Sequence, residues 1–225
     1  MIKKIFQALL LKSGKKYTID NDIPDRLFLY FMKERLIMII RGYFIFRKKV
    51  FVGENTNILN RLNIEIGQNV TIEDYVKIDG FAKNKLRLGN NSKIGKYSII
   101  TCTSHMSKYG KGFEIGDNSS CGQFCEFGSA GGVSIGNDVI MGGYVSFHSE
   151  NHNFINKNKL IREQGVTSKG IKIGNNIWVG AKVTFLDGSK IGDNCVIAAG
   201  AVVTKEFPNN VIIGGIPAKI IKEIM

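Results

Sequence analysis

Proline is nearly missing from this chain of 225 residues: three prolines, at positions 24, 208 and 217, stand against 26 glycines. That excludes a polyproline segment or proline-rich linker. It also suggests that glycine recurs where a regular architecture needs it. Cysteine is scarce too. Cys102, Cys121, Cys125 and Cys195 have neither Cys-x-x-Cys spacing nor the density of a secreted disulfide scaffold, so a reducing cytoplasm is the expected compartment. No apolar run is long and free of charge. Leu27 to Phe46 is broken by Lys33, Glu34, Arg35 and Arg41, which speaks against a membrane-spanning helix. Ile5 to Leu11 contains Gln7 and leads into Lys12, Lys15 and Lys16 without a small-residue cleavage site, so no secretory signal is expected. Acidic residues are in deficit as well: 31 Lys and Arg against 19 Asp and Glu give +12. Residues 1–50 hold twelve basic and four acidic residues, so 12 − 4 = +8 of that excess lies there. Anionic partners are favoured, but the basic residues do not interleave with an aromatic stacking platform, so nucleic acid is not expected.

Pro24 and Asp25 suit the first turn of a helix, and the following LFLYFMKERLIMIIRG carries a wide apolar face up to Gly42. Residues 24–41 therefore read as an amphipathic helix within an N-terminal capping segment, 1–57. Its first role is to cover the open end of the core that follows. A second role is to lie on a membrane surface, with Lys12 to Lys16 and Arg47 to Lys49 near anionic lipids.

From about Ile58 a six-residue pattern sets in: aliphatic, Gly, x, x, small or β-branched, x. Thirteen near-matches include IGQNVT from Ile66, LGNNSK from Leu88, IGDNSS from Ile115, IGNDVI from Ile135, IGNNIW from Ile173 and IGDNCV from Ile191. The period predicts two inward side chains per six residues, three such faces to a coil, and coils stacked at the ordinary strand spacing of ~4.8 Å. Glycine is expected at the corners, taking the dihedrals other residues avoid. Cys121, Cys125 and Cys195 fall on inward positions and read as buried small hydrophobes. After the hexad from Phe147 to His152 the next begins at Ile173 rather than 153, so 173 − 153 = 20 extra residues form a loop, at about 148–172. Excursions of that length are usually functional.

On these hexads, residues 58–225 resemble the hexapeptide-repeat acyltransferases. The resemblance implies an all-β fold, a left-handed parallel β-helix with the helical segment at its N-terminus and a short helix at its C-terminus. The closing stretch from Asn175 to Ile224 is similar to the coenzyme-A-binding end of the galactoside and maltose acetyltransferases. In that family an Asn-His or Gly-His pair at the loop root carries the general base, which here matches Asn151-His152. Histidine titrates in the range such a base needs. His148, Glu150, Asn151, Arg162 and Gln164 are the accompanying candidates for substrate binding, Arg162 and Gln164 from the IREQG stretch that resembles polysaccharide-modifying relatives. For acetyl-CoA, small residues including Gly180, Ala181, Ala199, Gly200 and Ala201 would wall a groove for the thin pantetheine chain. Backbone N–H groups near Gly180 and Ala181 would hold the oxyanion. Trp178 would lie near the cofactor or a subunit contact, and Thr204, Lys205, Lys219 and Lys222 near the phosphates. The family forms homotrimers with active sites between subunits, so a homotrimer is expected, and no metal.

The expected activity is thus acetyl transfer from acetyl-CoA to a sugar hydroxyl of a bacterial surface polysaccharide or its precursor. The expected site of action is the cytoplasm, with contact to the inner membrane face left open. An N-acetyltransferase of a nucleotide-linked amino sugar is the nearest alternative. A γ-type carbonic anhydrase, with three histidines on zinc, is the alternative of another class, and a non-catalytic scaffold a third.

Overall fold

Each hexad builds one side of a three-sided coil. The computed structural model describes residues 2–12 and 18–224, so Lys15 and Lys16 of the N-terminal basic cluster lie outside the described residues. Successive short strands visit three sheets in rotation, and the sheets hold nine, seven and seven strands. The pairing between neighbouring coils is parallel throughout, from Phe51↔Thr71 on the first face to Ile197↔Ile213. The first rung, Phe51–Val52, precedes Ile58, where the hexads become readable.

The interior is a set of ladders. Ile72, Ile94, Cys121, Met141, Val179 and Ile197 stack on the first face, and Phe127, Phe147 and Phe185 stack on the second at ring separations of 5.0 and 4.6 Å. All four cysteines are buried, as their positions in the repeat predicted for three of them. Burial pushes the Cys102 thiol up to about 12.

The hexad glycine serves a different purpose from the expected one. Gly67, Gly89, Gly95, Gly116 and Gly122 all have ordinary negative φ. An ideal Cβ on Gly95 would sit 2.1 Å from the Gly122 carbonyl oxygen, and one on Gly89 would sit 2.5 Å from the Gly116 carbonyl carbon. Glycine is there because the next coil's backbone occupies the space a side chain would need. The left-handed dihedrals fall two residues later, on Asn69, Asn91, Asn118, Asp138, Asn176, Asn194 and Asn210. Asparagine tolerates that region, and here its amides bond coil to coil: Asn91 Nδ2 donates to Asn118 Oδ1 at 3.0 Å and Asn176 to Asn194 at 2.8 Å. The residue between glycine and this asparagine accepts a backbone N–H from the preceding coil, as when Asn137 N donates to Asn175 Oδ1 at 2.8 Å. At the next corner the left-handed residues are Asn55, Tyr75, Tyr97, Phe124, Tyr144, Lys182 and Gly200, and the four aromatic rings in the middle of this column stack at 4.9, 4.9 and 5.0 Å. Stacking offsets the strain of a bulky side chain at positive φ.

Two helices precede the coil, α1 (Ile2–Lys12) and α2 (Asp25–Phe46). Helix α2 runs on past Gly42, which is a contact glycine: a Cβ there would lie 1.8 Å from the Val50 carbonyl oxygen. The helix covers the first coil, with the Arg35 guanidinium 3.6 Å from the Phe51 ring centroid. No described helix is long and apolar enough to cross a membrane. The expected C-terminal helix is a strand instead, Ala218–Glu223, antiparallel to Val211–Gly215. The turn at Gly215 to Pro217 sends the chain back along the exposed edge of the first face, where backbone groups need partners that a helix could not supply.

Two outcomes are expected. Gly95→Ala should destabilise the protein by about 1–3 kcal/mol in urea unfolding, the usual range for overpacking. Gly143→Ala, where the nearest atom to the new Cβ is at 3.1 Å, should cost clearly less. No thiol should react with a disulfide reagent at pH 8 in the native state, and all four should react in denaturant.

Candidate active site

Every departure from six-residue spacing falls at one corner. From first to second face the inward residues are six apart in each coil: 78 − 72, 100 − 94, 127 − 121, 147 − 141, 185 − 179 and 203 − 197. From third to first face the same spacing holds. From second to third face the steps, in chain order, are 66 − 58 = 8, 88 − 78 = 10, 115 − 100 = 15, 135 − 127 = 8, 173 − 147 = 26, 191 − 185 = 6 and 207 − 203 = 4. All the excess chain is therefore stacked along one edge of the prism, and the longest excursion carries the candidate base.

His148 ends the second-face strand Ser146–His148, points outward, and stands between Gly128 and Leu186 in the ladder. Continuing the next register places Thr204 beside Leu186. His148 and Thr204 thus share one outward column, two rungs or ~10 Å apart. His152 is exposed on a two-rung antiparallel hairpin, where Asn151 pairs with Thr167 and His152 with Val166. The hairpin is pinned at its base: Ser149 Oγ accepts from Gly131 N at 2.9 Å and donates to Gly128 O at 2.7 Å. Glu150 ion-pairs with Lys108 at 3.3 Å and accepts from Ser168 Oγ at 3.3 Å, so it ties the 101–112 excursion to both ends of the longer one.

The structure thus gathers His148, Glu150, Asn151 and His152 at the loop root. Gln164 sits elsewhere in the loop with its amide fully engaged. It accepts from Asn156 N at 3.0 Å and donates to Asn156 O and Lys159 O at 2.9 Å each, which makes it a brace for the loop. Arg162 is exposed on the turn Ile161–Glu163. His105 is occupied by Ser107, 2.8 Å from its Nδ1. Among the described residues no group of three or more His, Cys, Asp or Glu is disposed to hold a metal. The Lys108–Glu150 brace was missed from sequence, although the lengthened interval between the hexads at Ile94 and Ile115 signals the excursion that supplies Lys108.

The residues expected around acetyl-CoA divide among several places. Gly180, Ala181 and Ala199 line the corner between first and second faces. The Gly180 N–H is taken by Ile197 O at 2.8 Å, while Ala181 N–H has no intramolecular acceptor among the described residues. Of the two expected oxyanion donors, Gly180 and Ala181, only Ala181 is therefore left for such a contact, and the exposed Ala199 of the same corner likewise has no acceptor for its N–H among the described residues. Ala201 does not belong to the wall, since it is fully buried in the core. Trp178 points outward from the first face, 61% exposed, between Ile140 and Val196. Thr204 and Lys205 lie at the end of the second face, with the Lys205 ammonium 5.5 Å from the Phe207 ring centroid. Lys219 and Lys222 are exposed on the closing strand, opposite Gly214 and Ile212.

Comparison with known proteins adds the following. The family model described as "Bacterial transferase hexapeptide (six repeats)" matches residues 170–205. "Putative acetyltransferase YJL218W" of Saccharomyces cerevisiae is 34% identical over 171 residues, covering 72% of this chain and 83% of that protein. "Putative lipopolysaccharide biosynthesis O-acetyl transferase WbbJ" of Escherichia coli is 29% identical over 126 residues, 52% of this chain and 64% of that protein. Among solved structures, a hexapeptide-repeat acetyltransferase from Vibrio cholerae, complexed with acetyl coenzyme A, superposes with a TM-score of 0.54 at 24% identity, covering 61% of this chain and 70% of that one. This likeness of fold implies that the coil winds left-handed. The match spans 44%, 83%, 52% and 64% of the length of four such relatives, so it covers less than two thirds of most of them.

Gln164→Ala should leave the melting temperature within about 2 °C, because the loop lies outside the core. It should accelerate proteolytic cleavage between residues 153 and 164 several-fold, as read by limited proteolysis.

Proposed function

The chain belongs to the hexapeptide-repeat acetyltransferases, and on that premise we propose that it moves an acetyl group from acetyl-CoA to a sugar hydroxyl of a bacterial surface polysaccharide or its precursor. The observation that carries this reading is the placement of His152. It is exposed on a pinned hairpin at the root of the longest excursion, four residues beyond His148. The likeness to a lipopolysaccharide O-acetyltransferase supports a glycan acceptor over a free sugar.

In the proposed step the acceptor hydroxyl oxygen attacks the thioester carbonyl carbon while the His152 imidazole takes the hydroxyl proton. The oxyanion of the tetrahedral intermediate is held by the free Ala181 N–H, a fixed donor of the kind whose removal costs about 10²–10³-fold. Collapse breaks the carbon–sulfur bond, and the departing thiolate recovers the proton from the imidazolium. Pantetheine runs along the corner of Ala181 and Ala199. Thr204, Lys205, Lys219 and Lys222 serve the phosphates.

One chain does not bring the base and the donor wall together. Leu186 pairs with His148, and Ala181 lies five residues before Leu186, at the corner that precedes the second-face strand Thr184–Leu186, up to ~15 Å away at ordinary strand rise. This separation supports a homotrimer in which the His152 hairpin of one subunit faces the Ala181 corner of the next. The cytoplasm is the proposed compartment. The exposed Leu36, Ile40, Tyr43 and Phe44 of α2 and the basic N-terminal segment favour contact with the inner membrane face. An amine in place of the hydroxyl would make the same machinery an N-acetyltransferase, and a panel of acceptors distinguishes the two.

Thiol release from acetyl-CoA should be followed with deacetylated surface polysaccharides and nucleotide amino sugars. His152→Ala should lower kcat by about 10²–10⁴-fold, the usual share of a general base, and leave coenzyme A affinity unchanged. Undiminished turnover would remove His152 from the reaction, and stoichiometric zinc with carbonic anhydrase activity would overturn the acetyltransferase reading.

A further inference from the structure

The corner that holds the excursions also carries a second glycine ladder, on the third-face side. Gly112, Gly132, Gly170 and Gly188 stand in register in four successive coils, each just before a third-face strand. All four have positive φ, at 132°, 92°, 92° and 86°. Gly112, Gly132 and Gly170 line a cavity of about 290 Å³ on the third face, a size near the lower end of those that hold small ligands. The side-chain carbons of Lys111 and Lys169 lie against the Gly132 and Gly188 positions.

The walls of this cavity are cationic. Lys111 and Lys169 immediately precede two of the glycines, Lys172 and Lys190 rise from the strands that follow, and Lys85 closes one end. The single carboxylate in the lining is Glu114, which accepts the Ser134 hydroxyl. Lys85 and Lys190 are paired with Glu65 and Glu206 at the two ends, and Lys111 Nζ donates to Ser168 O at 3.3 Å. For the ammonium groups of Lys169 and Lys172 there is no acceptor among the described residues. The nearby Asp187 carboxylate is turned to the backbone, accepting from Lys169 N at 2.8 and 2.9 Å and Gly170 N at 2.7 Å. Lys172 and Lys190 are moreover direct neighbours in the ladder. Like charges so placed destabilise a sheet, so the fold alone does not account for them.

The cavity lies at the foot of the His152 hairpin. Gly131, in its lining, packs so closely under Ser149 that an added Cβ would be 1.9 Å from the Ser149 carbonyl oxygen. Gly170 follows three residues after Thr167, the hairpin partner of Asn151. We propose that this groove binds a phosphate or carboxylate group carried by the acceptor, and so selects an anionic saccharide. The assignment of its ligand as the acceptor rests on the acetyltransferase reading above.

The test uses the full chain and a Lys169→Gln/Lys172→Gln variant. Both side chains are exposed, and a thermal melt checks that the variant folds. Binding is measured calorimetrically with polygalacturonate, inorganic pyrophosphate and neutral dextran at low and at 0.3 M salt. Wild type should bind a polyanion in a salt-sensitive manner and ignore dextran, and the variant should lose at least about tenfold in that affinity. Polygalacturonate against pyrophosphate tells a carboxylate from a phosphate ligand. In acetyl transfer the variant should raise KM for an anionic acceptor about tenfold with kcat and coenzyme A affinity unchanged. Equal polyanion affinity in both proteins, or an unchanged KM, overturns the groove. Lysine-dependent binding with no transfer to any saccharide supports the groove as an anion site and removes the reading of its ligand as an acceptor.

Discussion

Adjacent coils must sit at the spacing of hydrogen-bonded strands, ~4.8 Å, on all three faces at once. At a corner, where the chain turns rather than extends, this presses backbone against backbone. The hexad glycine exists for that contact, as the 2.1 Å between an imagined Gly95 Cβ and the Gly122 carbonyl oxygen shows. The asparagines that follow bond coil to coil because the corners are locked in register. Two of the three corners are fixed in this way, one by amides and one by stacked aromatic rings. Neither can accept an extra residue without losing the contacts to both neighbouring coils.

The third corner carries no such side-chain ladder, and there the intervals grow from six to 8, 10, 15 and 26 residues. The proposed location of the chemistry follows from this. A histidine that must meet a soluble acceptor needs a segment standing off the prism, and only this edge can supply one. The hairpin under His152 and the Lys108–Glu150 brace then give that segment a fixed shape. A thin donor such as pantetheine suits a tight corner lined by Ala181 and Ala199. The proposed placement of the two functions on different corners leaves the breadth of one face between them, which is why the proposal includes a neighbouring subunit.

Much of this was legible in the sequence, because a repeat states its own geometry. The period predicted three faces, the buried cysteines and a 20-residue excess before Ile173. What it could not show was which contact each repeat position serves. Glycine at the second hexad position suggests a special dihedral, yet Asn and Tyr take the dihedral, and only the stacked backbone explains the glycine. The stretch after Pro217 reads as a helix when judged alone, since its strand partner, Val211–Gly215, is fixed only once the sheet edge exists. Gln164 is singled out by the likeness of its IREQG stretch to polysaccharide-modifying relatives, and nothing in the sequence reveals that its amide is engaged by Asn156 and Lys159. Lys85, Lys111, Lys169, Lys172 and Lys190 are scattered over a hundred residues, and only the register of the coils collects them.

A fold that stacks equivalent positions also stacks equivalent charges, so each charged residue on an outward column meets its neighbour one rung away. The third face shows how the chain handles this. Glu65 faces Arg87, Arg87 faces Glu114, and Lys190 faces Glu206, so opposite charges alternate along the column. The exception is Lys172 beside Lys190, with Lys169 at the same level and glycine backbone beneath. Neutral Ser134 stands between Glu114 and Lys172, and no other rung of this column sets like charges side by side. A lone repulsive step next to the loop that carries His152 is thus better understood as a demand for an anion than as an accident of composition. By the same logic, part of the chain's basic excess serves recognition at a particular edge rather than general attraction.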